Sequence, residues 1–223
     1  MKLRNAILLI ALVIIVDQTL KIWIKTTYPF GDTGLTGVSW FRLHFIENPG
    51  MAWGWQLGGE WGKMILTLFR LAAVIFGTWY LGKIVKQQYS KGFIVCASLI
   101  YAGALGNLLD SMFYGLLFEE STSTYVARFF PAHGYAGFLH GKVVDMLYFP
   151  IIRGAKFPSW MPWIGGDDFE FFSPIFNIAD ASISAGVITL FLFQKRFFKK
   201  KEPLQDQPVT ETNTPVSDEV QVL

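Results

Sequence analysis

The sequence predicts an all-α membrane protein: four transmembrane helices, with a small extracytoplasmic β-sheet and an interfacial loop or helix beside them. Three observations carry that reading. Of 223 residues, 52% are hydrophobic and only 16% charged, well below the roughly 25% of a soluble domain. Four separate runs are apolar over the about 20 residues that a bilayer crossing requires. The polar residues inside those runs gather toward one end of each.

The first run covers about residues 6–24. Lys2 and Arg4 ahead of an apolar core look like a secretory leader, but Asp17 follows the core and Ile22, Trp23 and Ile24 resume it. With no small-x-small cleavage pattern, a retained span is expected. The other runs cover about residues 64–85, 93–109 and 174–193. Basic residues set their orientation. Lys2 and Arg4 precede the first span, Lys83, Lys86 and Lys91 fill the link between the second and third, and Lys195, Arg196, Lys199, Lys200 and Lys201 follow the fourth. By the positive-inside rule these places are cytoplasmic, and so are both termini.

The two remaining connections, about residues 25–63 and 110–173, then face outward. The first holds a candidate strand over residues 38–46, with Trp40, Phe41, Leu43 and Phe45, and the Gly-rich stretch ENPGMAWGWQLGG. The second is rich in Phe, Tyr, Trp, Gly and Pro, a composition suited to the headgroup layer. A short interfacial helix or strands are expected there. Residues 1–200 thus form one four-helix membrane domain. Residues 201–223 are polar, acidic and Pro/Thr-rich, and disorder is expected.

A net charge of +2 argues against a nucleic-acid partner. The single cysteine, Cys96, excludes an internal disulfide or a cysteine-based metal site. His133 and His140 lie in the second outer connection without an HExxH pattern, so packing or solvated histidines are expected.

The chemistry-bearing residues start with Asn177 and Asp180, at the mouth of the fourth run. On a helix, residues three apart share a face, and an acid at the edge of a span is by default a functional-site hypothesis. Its best partner is Asp145, in GKVVDMLYF. Two carboxyls in a poorly hydrated pocket share a proton. Aspartic proteolysis needs that state, with a carboxylate to take a proton from water and an acid to give one to the peptide carbonyl. Asp17 and Lys21 are four apart, and a structural ion pair is the favoured reading. Asn107 and Asn177 serve equally well as helix-bonding or site amides. Asp110 serves equally well as a helix-end acid or a site acid. Gly103 and Gly106 fit helix packing better than substrate contact. Arg70, inside the second span, has no obvious partner on its own helix and is assigned no function. A rival class, a proton or ion path, would spread polar residues through the membrane's depth; here they cluster on one side.

The blocks VDQTLK (from Val16), ENPGMAWG (from Glu47), GALGNLLD (from Gly103), VVD (from Val143) and FNIADASISAG (from Phe176) carry a likeness. Together they cover the chain from Val16 to Gly186, in the family's order. The chain resembles the lipoprotein signal peptidases, also called signal peptidase II. The resemblance implies an integral-membrane aspartic endopeptidase of the bacterial inner membrane that cuts prolipoproteins just before a diacylglyceryl-modified cysteine. Asp145 and Asp180 match the family's catalytic pair. Asp17, Lys21, Asn48, Gly50, Ala52, Gly106, Asn107, Asn177 and Ala179 match positions that line or support the site. The implied partners are prolipoprotein substrate, membrane lipid and inhibitors such as globomycin; no metal or cofactor is implied, and no oligomer is required. Two departures stand out. The family usually has an arginine after GNLLD, where this chain has Ser111, and Arg128 is the stand-in to look for. Residues 115–139 form a longer outer link than the family's, read as a lid that alters access.

Overall fold

The computed structural model describes residues 1–34, 38, 40–49, 59–150, 152–163, 165–171 and 174–197. The chain order is α1 (Leu3–Lys25), β1 (Thr33–Gly34), β2 (Arg42–Asn48), α2 (Gly59–Lys86), α3 (Lys91–Leu117), β3 (Val143–Tyr148), β4 (Ile152–Lys156), β5 (Asp168–Phe171), β6 (Ile175–Phe176) and α4 (Ile178–Phe197). All four helices are long and apolar enough to cross a membrane. Their outward faces carry large apolar side chains such as Leu8, Leu12, Ile15, Phe69, Phe76, Trp79, Phe191 and Leu192, all exposed. In water such a surface would aggregate; against lipid tails it is matched.

Packing is arranged around α3, which contacts α1, α2 and α4. Small residues let α3 and α4 approach closely. A Cβ on Gly103 would overlap the Ala179 carbonyl and lie 2.6 Å from Ile183 Cγ1, so the helix backbones touch there. Beside the C-terminal ends of α1 and α3 and the start of α4 lies a four-stranded antiparallel sheet in the order β1-β2-β3-β6. Ile24, Phe45, Tyr114, Phe118, Val144, Met146 and Leu147 form the apolar cluster that joins it to α1 and α3. A separate hairpin pairs β4 with β5.

The expected spans hold, with shifted ends. The third runs on to Leu117 because the loop after it folds back on it: Gly141, Leu139, Ala136 and Phe130 donate backbone hydrogen bonds to the carbonyls of Ser111, Met112, Gly115 and Leu117. Gly141 has no substitute, since a Cβ there would strike the Asp110 carbonyl. The link expected over residues 115–139 therefore starts as helix and continues as a packed loop. The strand expected over 38–46 is Arg42–Asn48, because its register is set by β3. The fourth helix starts at Ile178, four residues later than expected, since Ile175 and Phe176 pair with Tyr148 and Leu147. Residues 201–223 lie outside the described residues.

Candidate active site

Asn177 sits between β6 and α4, and its position comes from both. The antiparallel pair Leu147 with Phe176 sets Asn177 beside the middle of β3. It then caps α4 rather than riding on it, which corrects the expectation of one shared helix face. Its Oδ1 accepts from the Asp180 backbone N–H at 2.8 Å, while Asp180 Oδ2 accepts from the Asn177 N–H at 3.4 Å. This reciprocal capping box satisfies two backbone donors that a helix start leaves open. A third, the Ala179 N–H, donates to Asp17 Oδ1 at 2.8 Å.

Asp145 comes from the middle of β3. Side chains alternate along a strand, so Asp145 turns away from the face of Val144 and Met146. It is 3% exposed. Asn177 Nδ2 donates to Asp145 Oδ1 at 2.7 Å and reaches Asn107 Oδ1 at 3.2 Å. Asn107 Nδ2 in turn donates to Asp180 Oδ1 at 2.7 Å. Two neutral amides thus bridge the two carboxyls. Burial first, and then the charge of Asp180, push the Asp145 carboxyl up to about 7.

Beside this group lies a second set of acids of different character. Lys21 Nζ meets Asp17 Oδ2 and Asp110 Oδ2, each at 2.8 Å, and donates to Asn107 Oδ1 at 3.0 Å. An ammonium has three protons, so all three are used, and the Asn107 amide must turn its nitrogen toward Asp180. Gln18 Nε2 bonds Asp110 at 2.8 Å and Asp17 at 3.1 Å, and Tyr114 donates to Gln18 Oε1 at 3.1 Å. A Cβ on Gly106 would lie 3.0 Å from Asp17 Oδ2 and 3.3 Å from the Ala179 methyl. Bare backbone at 106 and a small side chain at 179 make room for the triad. Asp17, Lys21 and Asp110 are all buried and tie α1, α3 and α4 together.

Asn48 lies at the end of β2, paired with Val143, two residues before Asp145. Gly50 and Ala52 lie outside the described residues. Arg128 is exposed and 4.0 Å from Glu119, so it does not stand in for an arginine at position 111. The guanidinium at Ser111 is that of Arg70, whose Nη1 donates to Ser111 Oγ at 2.8 Å. Sequence reasoning passed over Arg70 because its partner lies on another helix, and over Gln18 although VDQTLK contains it. It also missed a third charged group, where Lys25 pairs with Glu47, both buried, and bonds Ser121 Oγ at 2.6 Å. His140 Nδ1 lies 2.9 Å from the Phe138 carbonyl.

Three comparisons bear on this arrangement. The family model described as Signal peptidase (SPase) II matches residues 9–196. A lipoprotein signal peptidase of Porphyromonas gingivalis is 47% identical over 190 residues, covering 84% of this chain and 81% of that protein. One of Amoebophilus asiaticus is 33% identical over 204 residues, covering 90% and 80%. A solved bacterial membrane enzyme is 27% identical with a TM-score of 0.56, covering 91% of this chain and 96% of that one. A second is 28% identical with a TM-score of 0.54, covering 89% and 96%.

Proposed function

Since the chain belongs to the signal peptidase II family, we propose that it removes signal peptides from diacylglyceryl-modified prolipoproteins by aspartic hydrolysis, cutting before the lipidated cysteine. The observation that carries this reading is the amide-bridged pair Asp145 and Asp180. The roles follow from the surroundings. Asp180 receives a hydrogen bond from Asn107 and stands in the first turn of α4, where donors and the helix dipole favour negative charge. It serves as the carboxylate that takes a proton from the attacking water. Asp145, buried and held near 7, keeps the proton that it gives to the scissile carbonyl oxygen. The tetrahedral intermediate then collapses, the amine leaves with a proton, and the shared proton returns to the pair.

The substrate's acyl chains lie in the bilayer against the apolar helix faces. At about 0.8 kcal/mol per buried CH₂, the lipid supplies much of the binding, and the protein need only present the peptide to the acids. Lys83, Lys86, Lys195 and Arg196 lie in the last turns of α2 and α4, which supports cytoplasmic termini and a site toward the outer face.

The test is a synthetic peptide with a diacylglyceryl cysteine, incubated with the purified full chain and read by mass spectrometry. The expected product begins at the lipidated cysteine, and globomycin suppresses it. Asp145→Asn and Asp180→Asn fold but lose about 10³–10⁴-fold in kcat. Normal cleavage by either variant removes that residue from the chemistry.

A further inference from the structure

We propose that Arg70 is a positioning residue of the acid pair, a guanidinium that holds Asp180 in its charged form and so leaves the shared proton on Asp145. This rests on the aspartic reading above and assigns the pair its polarity.

The placement of Arg70 makes the case. It lies within α2, a membrane span, where a cation is costly and is retained for a reason. It shares the face of α2 that carries Lys63 and Thr67, and Thr67 Oγ1 donates to the Leu139 carbonyl at 3.0 Å. That face therefore meets the outer loop and α3 rather than lipid. One guanidinium donor is fixed on Ser111 Oγ at 2.8 Å. Ser111 is 1% exposed, and its hydroxyl donates to the Asn107 carbonyl at 2.9 Å. The chain of contacts runs from Arg70 through Ser111 to the turn of α3 whose Asn107 side chain binds Asp180 at 2.7 Å.

Charge accounting points the same way. The acids whose field reaches Arg70 are Asp180 foremost, then Asp110 and Asp145. Asp110 already has Lys21 at 2.8 Å, and all three Lys21 protons are engaged with Asp17, Asp110 and Asn107. The charged groups around the pair are Asp17 and Lys21 from α1, Lys63 and Arg70 from α2, Asp110 from α3, Asp145 from β3 and Asp180 from α4. Among them Lys21 is committed to its triad, and Lys63 lies in the field of Glu47, Glu120 and Lys142 rather than of the pair, so the guanidinium that favours a carboxylate at Asp180 is Arg70. A planar fork anchored at one corner keeps its direction, which a flexible ammonium does not.

The experiment measures kcat/KM against pH for the full chain in lipid nanodiscs, using the diacylglyceryl peptide, for wild type, Arg70→Gln, Arg70→Lys and Ser111→Ala. Removing a cation makes both carboxyls harder to ionise, so the acidic and basic limbs both move to higher pH. Arg70→Gln is expected to shift the profile up by about one pH unit and to lower the maximum about 10–100-fold. Arg70→Lys keeps the profile closer to wild type, and Ser111→Ala shifts it by less than Arg70→Gln in the same direction. A merely structural arginine would lower the maximum and leave the limbs in place, and that result overturns the proposal. If Arg70→Gln loses its unfolding transition, Ser111→Ala decides, and an unmoved profile there overturns it too. Cleavage by wild type that Asp145→Asn abolishes secures the underlying reading, so an unshifted Arg70→Gln then defeats this inference alone. A wild type that leaves the peptide intact defeats both.

Discussion

Two pairs of acids sit within one hydrogen-bond network, and they are treated oppositely. Asp17 and Asp110 share Lys21, whose three protons are all engaged, and Gln18 and backbone N–H groups fill their remaining acceptor sites. Asp145 and Asp180 instead share neutral amides, Asn177 and Asn107. Where an ammonium neutralises the acids, the result is a rigid joint between helices. Where amides orient them without neutralising them, the pair has room for the one proton of the proposed reaction. The same residue type thus serves as mortar in one place and, in the proposed reaction, as reagent in the next, and the bridging group distinguishes the two.

The sharpest way to break this contrast is Lys21→Met. It strands two buried carboxylates and is expected to cost about 3–5 kcal/mol, read as a fall in thermal unfolding temperature in detergent. An unchanged unfolding temperature would mean that Lys21 does not neutralise the two acids. Asp145→Asn is expected to do the reverse. Its carboxyl lies near 7 when folded, above its value in an unfolded chain, so ionising it opposes folding. That penalty is absent below the unfolded value, grows as pH rises between the two, and is complete above about 7. The asparagine variant therefore gains stability over wild type, by about 2–4 kcal/mol at pH 8 and nothing at pH 4. Equal unfolding temperatures at both pH values would show that the site does not strain the fold. The smallest effect belongs to Lys142→Met. Lys142 is part-exposed and 3.7 Å from Glu47, and its loss should cost under about 1 kcal/mol and leave cleavage unchanged.

The helices were legible because apolar length is a local property, and the acids because a carboxylate stands out in such a run. What escaped was whatever depends on a distant partner. The strand Arg42–Asn48 takes its register from β3, about 100 residues on, through pairs such as Asn48 with Val143. Span three outlasts its most apolar stretch because residues 130–141 cover its end. Asn177 and Asp180 were rightly seen as neighbours, yet their spacing reads equally as a helix face and as a capping box. Only the pairing of Phe176 with Leu147 selects the second. Arg70 looked stranded because its serine is 41 positions further along.

The capping box joins folding to the proposed chemistry through one carboxyl group. Asp180 closes the first turn of α4 with the same carboxyl group that is proposed to act on water, and Asn177 takes its place from the adjoining strand pair. Until the last helix lies against that edge, the two acids are not bridged. On the proposed mechanism, a copy whose last helix has not docked on that edge lacks the acid pair and does not cleave.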